Sequence, residues 1–203
     1  MKIYRTTITR RAATALLAAA LSLTAGIAMA AESSAPRVKF VTSQGDFVVE
    51  VYPDKAPKTV ENFLQYVKDK HYDGTIFHRV IPNFMVQGGG FDSAYAEKKT
   101  RPPVAHEGRE ALAKGGAKNV VGTLAMARTN DPNSATAQFF INVKDNDFLN
   151  PSTQAPGYTV FGKVVSGMDV VTKIQTVPTG AGGPFGSDVP KTPVVIKSAT
   201  LVN

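Results

Sequence analysis

The sequence has no cysteine, no tryptophan and only 3 histidines in 203 residues. The first absence excludes disulfides, thiol nucleophiles and cysteine–zinc sites, so the fold has to be held by its core alone. His71, His78 and His106 lack zinc-ligand spacing, and His106-Glu107 has no second histidine to complete a metalloprotease pair. No serine sits in a nucleophile elbow. Gly88-Gly89-Gly90 lacks the spacing of a dinucleotide loop, and no Lys-Ser/Thr follows it. It reads as a bend that lets backbone approach closely. Neither a metal nor a cofactor is expected.

Long hydrophobic runs are scarce too. One spans Ala12 to Ala28, after a head carrying Lys2, Arg5, Arg10 and Arg11 without an acid, and it runs into Ala28-Met29-Ala30. Basic head, short apolar middle and Ala-x-Ala end describe a cleaved secretory signal over residues 1–30, leaving residues 31–203 as the functional domain. Thr24 and Gly26 interrupt the run, which is marginal for a ~30 Å hydrocarbon core, so no membrane association is expected after cleavage. Arg10-Arg11 has the look of a twin-arginine signal. Ala12-Ala13-Thr14 lacks the bulky apolar pair expected next, which favours the general secretory route. The net charge of +7 falls to +3 once the +4 of residues 1–30 is removed. The remaining basic cluster, Lys98, Lys99 and Arg101, lies between Glu97 and Pro102-Pro103. It reads as a solvated loop rather than a phosphate-tracking face, so nucleic acid is not an expected partner.

After a polar lead-in at 32–36, Val38–Val41 and Phe47–Val51 flank a Ser43-Gln44-Gly45-Asp46 turn and predict a β-hairpin. Pro57 suits a first helical turn, and Val60, Phe63, Leu64 and Val67 form the apolar stripe of a helix ending near Lys70. Short strands are expected at 75–80, 85–88, 122–127, 138–143, 159–164 and 194–201, with a second helix at 167–176. The loops at 91–121 and 178–193, rich in Gly, Pro and charge, are expected to be the most mobile parts. Many short strands and two helices predict a mainly β, antiparallel barrel.

Two runs carry the chemistry: Phe77–Phe91 (FHRVIPNFMVQGGGF) and Ala137–Asn142 (AQFFIN). They supply a fixed positive charge, Arg79, and two amides beside aromatic and apolar groups, with no nucleophile and no acid–base pair. Such a set suits a reaction in which a twisted bond is stabilised rather than a proton moved, and rotation about a prolyl peptide bond is one. Alternate residues of a strand face opposite sides. The simplest assembly buries Val86, Phe139 and Ile141 and leaves Met85, Gln87, Gln138 and Phe140 lining an outer groove. His78, next to Arg79, is then expected to point away from Arg79, as a hydrogen-bonded interior histidine.

In this order, FHRVIPxFMxQGG and MA…QFFI resemble the cyclophilin family of peptidyl-prolyl cis–trans isomerases, over about Val38 to Leu201. The resemblance implies a closed eight-stranded antiparallel β-barrel with two helices covering its ends. It implies that Arg79 is catalytic, that Phe84, Met85, Phe140 and Leu149 hold the proline, and that Gln87 contacts substrate and steadies Arg79. Ala127 and Gln138 match groove positions near the preceding substrate residues. Arg128 stands where many members have asparagine, a swap expected to be tolerated because the contact there is largely through backbone. Phe148 replaces a tryptophan and Tyr158 a histidine of most eukaryotic members, as in the bacterial periplasmic branch. Without the indole donor, cyclosporin is expected to bind weakly. The expected setting is the periplasm, with a monomer acting on proline-containing peptides and unfolded exported proteins. The rival readings are a non-catalytic, chaperone-like binder using the same groove and a barrel with its ligand inside. The second would need polar residues pointing inward.

Overall fold

The computed structural model describes Lys2 and residues 35–202. The signal assigned to residues 1–30, Lys2 apart, and the lead-in up to residue 34 lie outside the described residues. Strands β1 (Arg37–Thr42) and β2 (Gly45–Val51) form the expected hairpin. Phe40 and Phe47 are register partners in it, and their rings stack 5.0 Å apart. The chain continues through α1 (Pro57–Lys68), β3 (Arg79–Ile81), β4 (Met85–Gly88), α2 (Gly108–Ala113), β5 (Thr123–Met126) and β6 (Phe139–Asn142). A 3₁₀ turn at Asp147–Leu149 precedes β7 (Val160–Ser166), α3 (Met168–Gln175), β8 (Thr179–Gly182), β9 (Phe185–Pro190) and β10 (Ile196–Val202).

Eight strands pair antiparallel in the order β10-β1-β2-β7-β5-β6-β4-β3, while β8 and β9 form a separate hairpin. The closed barrel with two helices is therefore corrected. The ladder is a curled half-barrel whose edges are β10 and β3, and the described residues hold three helices. Between those edges there is only a short bridge, in which Phe77 N–H donates to the Val194 carbonyl and Ile196 N–H to that of Thr75. The segment expected as one strand over 75–80 is broken here: Ile76 faces Val195, His78 is irregular, and the ladder resumes only at Arg79.

Within the curl, Phe40, Phe63, Tyr72, Phe77, Phe139 and Phe161 form one aromatic core, each completely buried. Each such ring contributes about 1.5–3 kcal/mol of burial free energy. Helix α1 places Val60, Phe63 and Val67 on this core, with Leu64 packed at its margin. The buried Glu107 carboxylate accepts the N–H groups of Lys58 at 3.1 Å and Thr59 at 2.8 Å, and also the Thr59 hydroxyl. A carboxylate there satisfies orphan helix donors and complements the helix dipole. No helix among the described residues is long and apolar enough to cross a membrane.

Candidate functional site

Strands β4 and β6 pair so that Val86 faces Ile141 and Gln87 faces Phe140. Alternation then sorts the side chains as expected: Val86, Phe139 and Ile141 join the core. Met85 and Phe140 form a second apolar cluster with Ala125, Leu149 and Val160, bordered by Phe84, Ala127 and Tyr158. This second cluster floors a groove of about 340 Å³ lined by Arg79, Phe84, Met85, Gln87, Ala127, Arg128, Gln138, Phe140, Leu149 and Tyr158. These are ten of the eleven residues expected in the site; Phe148 is not among them, and three further lining residues were not expected. A polar cleft shares Gln87, Ala127, Arg128 and Gln138 with it and extends to Glu97, Thr100 and Ser134.

Arg79 is exposed on edge strand β3, directly opposite Gln87 in the register. None of the ion pairs or side-chain hydrogen bonds among the described residues involves its guanidinium, so its charge is uncompensated beside an apolar floor. Among the described residues no hydrogen bond joins Gln87 to Arg79; the Gln87 Nε2 donates to Gln138 Oε1 at 3.0 Å, which leaves the Gln87 Oε1 as an acceptor. The glycine run explains how the two amides meet. Gly89 takes φ of 88°, and a Cβ on Gly90 would lie 2.6 Å from the Gln138 side chain.

The opposite wall joins two of the unusual residues. The Arg128 guanidinium lies 4.5 Å above the Tyr158 ring and donates to the Gly157 carbonyl from Nε at 3.1 Å and from Nη2 at 2.8 Å. Tyr158 in turn meets Phe140 edge-on, 5.5 Å between centroids. A planar cation and an aromatic face attract each other. Arginine at 128 and tyrosine at 158 therefore form a matched pair, and the Arg128 side chain is part of the groove wall.

Phe148 is displaced from the expected set. It is 73% exposed, stacks on Phe84 at 5.7 Å, and stands on the rim rather than among the lining residues. His78 needs the larger correction. It is buried, but it lines the groove instead of the core, with its ring 4.7 Å from Phe91 and 5.4 Å from Phe185, and its Nδ1 has no hydrogen-bond partner. Parity fails for it because it precedes the regular part of β3. Burial pushes its pKa down to about 4, and the Arg79 charge adds to the fall against an opposing Ile76 carbonyl. Phe91 and Phe185 complete the lining and escaped the sequence reading. An aromatic isolated in a Gly/Pro-rich stretch was the available signal for Phe185.

No trio of His, Cys, Asp or Glu that could hold a metal occurs among the described residues. The site offers a guanidinium without an intramolecular partner among the described residues, paired amides and an apolar floor. That set can hold a carbonyl and an apolar ring and stabilise developing lone-pair density.

Comparison with known proteins supplies the family. Residues 37–201 match the family model described as cyclophilin type peptidyl-prolyl cis-trans isomerase/CLD. The chain is 54% identical over 167 residues to peptidyl-prolyl cis-trans isomerase B of Escherichia coli (strain K12), covering 81% of this chain and 98% of that protein. It is 49% identical over 182 residues to peptidyl-prolyl cis-trans isomerase A of Dickeya dadantii (strain 3937), covering 90% and 93%. Among solved structures, a Cryptosporidium parvum cyclophilin type isomerase, in the presence of the dipeptide Ala-Pro, matches with a TM-score of 0.65 at 25% identity. That match covers 82% of this chain and 99% of the other. The chain belongs to the cyclophilin-type peptidyl-prolyl cis–trans isomerase family.

Proposed function

We propose that this isomerase accelerates rotation of Xaa-Pro bonds in exported polypeptides, with Arg79 as the catalytic group. The observation that carries the reading is the uncompensated Arg79 guanidinium beside the Met85–Phe140–Leu149 floor. Prolyl rotation faces about 18–20 kcal/mol because amide resonance breaks. At the half-turned state the prolyl nitrogen is pyramidal and regains its lone pair. A donor aimed at that nitrogen stabilises the twisted state more than the planar one, which is what lowers a barrier. Arginine remains protonated and presents several N–H groups in a fixed plane. With no intramolecular partner among the described residues, the exposed Arg79 exchanges only water for the substrate. The apolar floor takes the proline ring and excludes water, which strengthens the interaction. A reduction of about 7 kcal/mol corresponds to roughly 10⁵-fold acceleration.

In this reading Gln87 and Gln138, locked by their mutual hydrogen bond, present amide groups to the substrate backbone. Ala127 and Arg128 flank the residues before proline. The protein acts as a monomer in the periplasm after removal of residues 1–30, a proposal supported by the basic head, apolar run and Ala28-Met29-Ala30. N-terminal sequencing of the exported protein is expected to begin at Ala31; an intact Met1 in the exported fraction overturns the signal assignment. For the activity, the test is cis-to-trans relaxation of a short Xaa-Pro peptide. Acceleration that vanishes in Arg79→Ala supports the catalytic role, whereas unchanged acceleration removes it. A mere binder would lose only modest affinity with the same change.

A further inference from the structure

Three aromatic rings from distant parts of the chain meet at the β3 end of the groove. His78 precedes β3, Phe91 follows β4, and Phe185 opens β9. Phe91 and Phe185 are edge-on at 5.2 Å, and both rings pack against His78. His78 is buried with an unpartnered Nδ1, and at neutral pH its ring is uncharged because burial holds its pKa at about 4. It therefore offers an aromatic surface and not a cation.

The β8–β9 hairpin is built to hold Phe185 in place. Gly183 takes φ of 51°, and a Cβ there would collide with the Tyr95 ring, so the bare backbone of the turn seats directly on Tyr95. Val189 and Pro190 supply the hairpin's buried residues, leaving Phe185 only half-buried and facing the groove. A half-exposed phenylalanine next to an exposed glycine and proline gains little from the hairpin itself. An apolar occupant would cover it.

Placement across the sheet identifies that occupant. Ala127 follows β5, and the order β5-β6-β4-β3 ends at the edge against which β9 packs. Ala127 and Phe185 thus stand at opposite ends of the groove, with Arg79 and Gln87 between them. With the residue before proline at the Ala127 end, as the proposed function has it and on which this step rests, the residue after proline reaches the aromatic wall. Among the described residues no carboxylate lines the groove, whereas Arg79 and Arg128 do, so a basic side chain finds no partner there.

We propose that His78, Phe91 and Phe185 form a subsite for an aromatic or large apolar side chain on the residue immediately after proline, with Phe185 setting the specificity. The test is NMR exchange spectroscopy on the peptides Ala-Ala-Pro-Yaa-Ala, with Yaa as Phe, Leu, Gly or Lys. Wild-type protein is expected to favour Phe over Gly by about 10-fold in kcat/KM, the size of effect a hydrophobic pocket supports, with Lys the poorest substrate. In Phe185→Ala the Phe-to-Gly ratio falls below about 2, and in Phe185→Leu it is intermediate. An unchanged ratio in either variant overturns the subsite, as does an equal loss on all peptides, which marks a structural role. Phe185→Leu keeps the apolar volume and carries the comparison if the alanine variant does not fold. Wild-type turnover that ignores Yaa removes the subsite alone. Absence of turnover on every peptide removes the isomerase reading instead, and NMR titration with the Phe and Gly peptides then reads the same Phe185 dependence as affinity.

Discussion

The two faces of the β4–β6 pair use neighbouring residues for opposite ends. On the inner face, Phe139 is completely buried and touches the rings of Phe40, Phe63, Tyr72 and Phe77 at 5.5 to 6.2 Å. On the outer face, Phe140 is almost as well buried, yet it forms the floor of an open groove with Met85 and Leu149. Burial alone does not separate them. What separates them is the second layer: four rings pack against Phe139, whereas Phe140 has Tyr158 at its edge and the open groove beyond. The inner face holds the fold together, and the outer face is left open to the groove.

The largest expected effect tests the inner face. Phe139→Ala is expected to lower unfolding free energy by about 3–5 kcal/mol, because transfer and cavity terms add where the surrounding rings cannot collapse. Chemical denaturation measures it. A loss under about 1 kcal/mol would mean that the inner face is not the core it is described to be. On the outer face, Arg79→Ala is expected to reduce kcat/KM by at least ~100-fold, about 2.7 kcal/mol, with the melting temperature unchanged. Arg79→Lys is expected to recover little, since a point charge cannot reproduce a planar donor array. If both variants melt early, the sorting of the two faces fails.

A smaller effect probes the rim. Phe148 is mostly solvent-exposed and stacked on Phe84, so a larger ring has room there. Phe148→Trp is expected to strengthen inhibition by cyclosporin through a new indole donor, by about the 0.5–1.5 kcal/mol of one hydrogen bond. An inhibition curve that does not move would mean that position 148 is not where the ligand's acceptor lies.

The same comparison shows what the sequence could reveal. Period-two alternation separated Val86 from Met85 and Phe139 from Phe140 because both strands are regular and paired on both sides. Arg79 stood out as a charge among apolar neighbours, and it remains unpaired. Where the backbone leaves the ladder, alternation carries no information. His78 precedes the regular part of β3, so its side could not be read from its neighbour. The β8–β9 hairpin is written largely in Gly, Pro and Thr (TGAGGPF), a composition shared with loops, and the loop reading of 178–193 hid a wall of the groove. Helix α2 has six residues, too few for an apolar period to repeat. The Gln87–Gln138 bond was within reach of parity, which placed both on one side. The expectation that Gln87 serves Arg79 came from the family resemblance instead.

The smallest expected effect is on rate as pH changes. No group assigned to the chemistry changes charge near neutrality, because arginine titrates far above it and Phe, Met, Leu and Gln do not titrate. The histidine on the groove wall is held at about 4, below the range in question. kcat/KM is therefore expected to be flat between about pH 6 and 8, without the bell that an acid and a base produce. Stability behaves differently, and the sign follows from linkage. Burial lowers the folded-state pKa of His78, as it does for His71 and His106. As pH falls through about 6.5, the unfolded chain takes up protons that the folded chain refuses. Stability is then fully present above about pH 6.5 and declines towards pH 4, where His78 titrates in the folded state. His78→Gln, measured by denaturation at pH 7 and pH 5, is expected to reduce that decline while leaving the rate profile flat. A rate step between pH 6 and 8 that disappears in His78→Gln would instead make the groove wall part of the chemistry, and the division between a structural and a catalytic face would have to be redrawn.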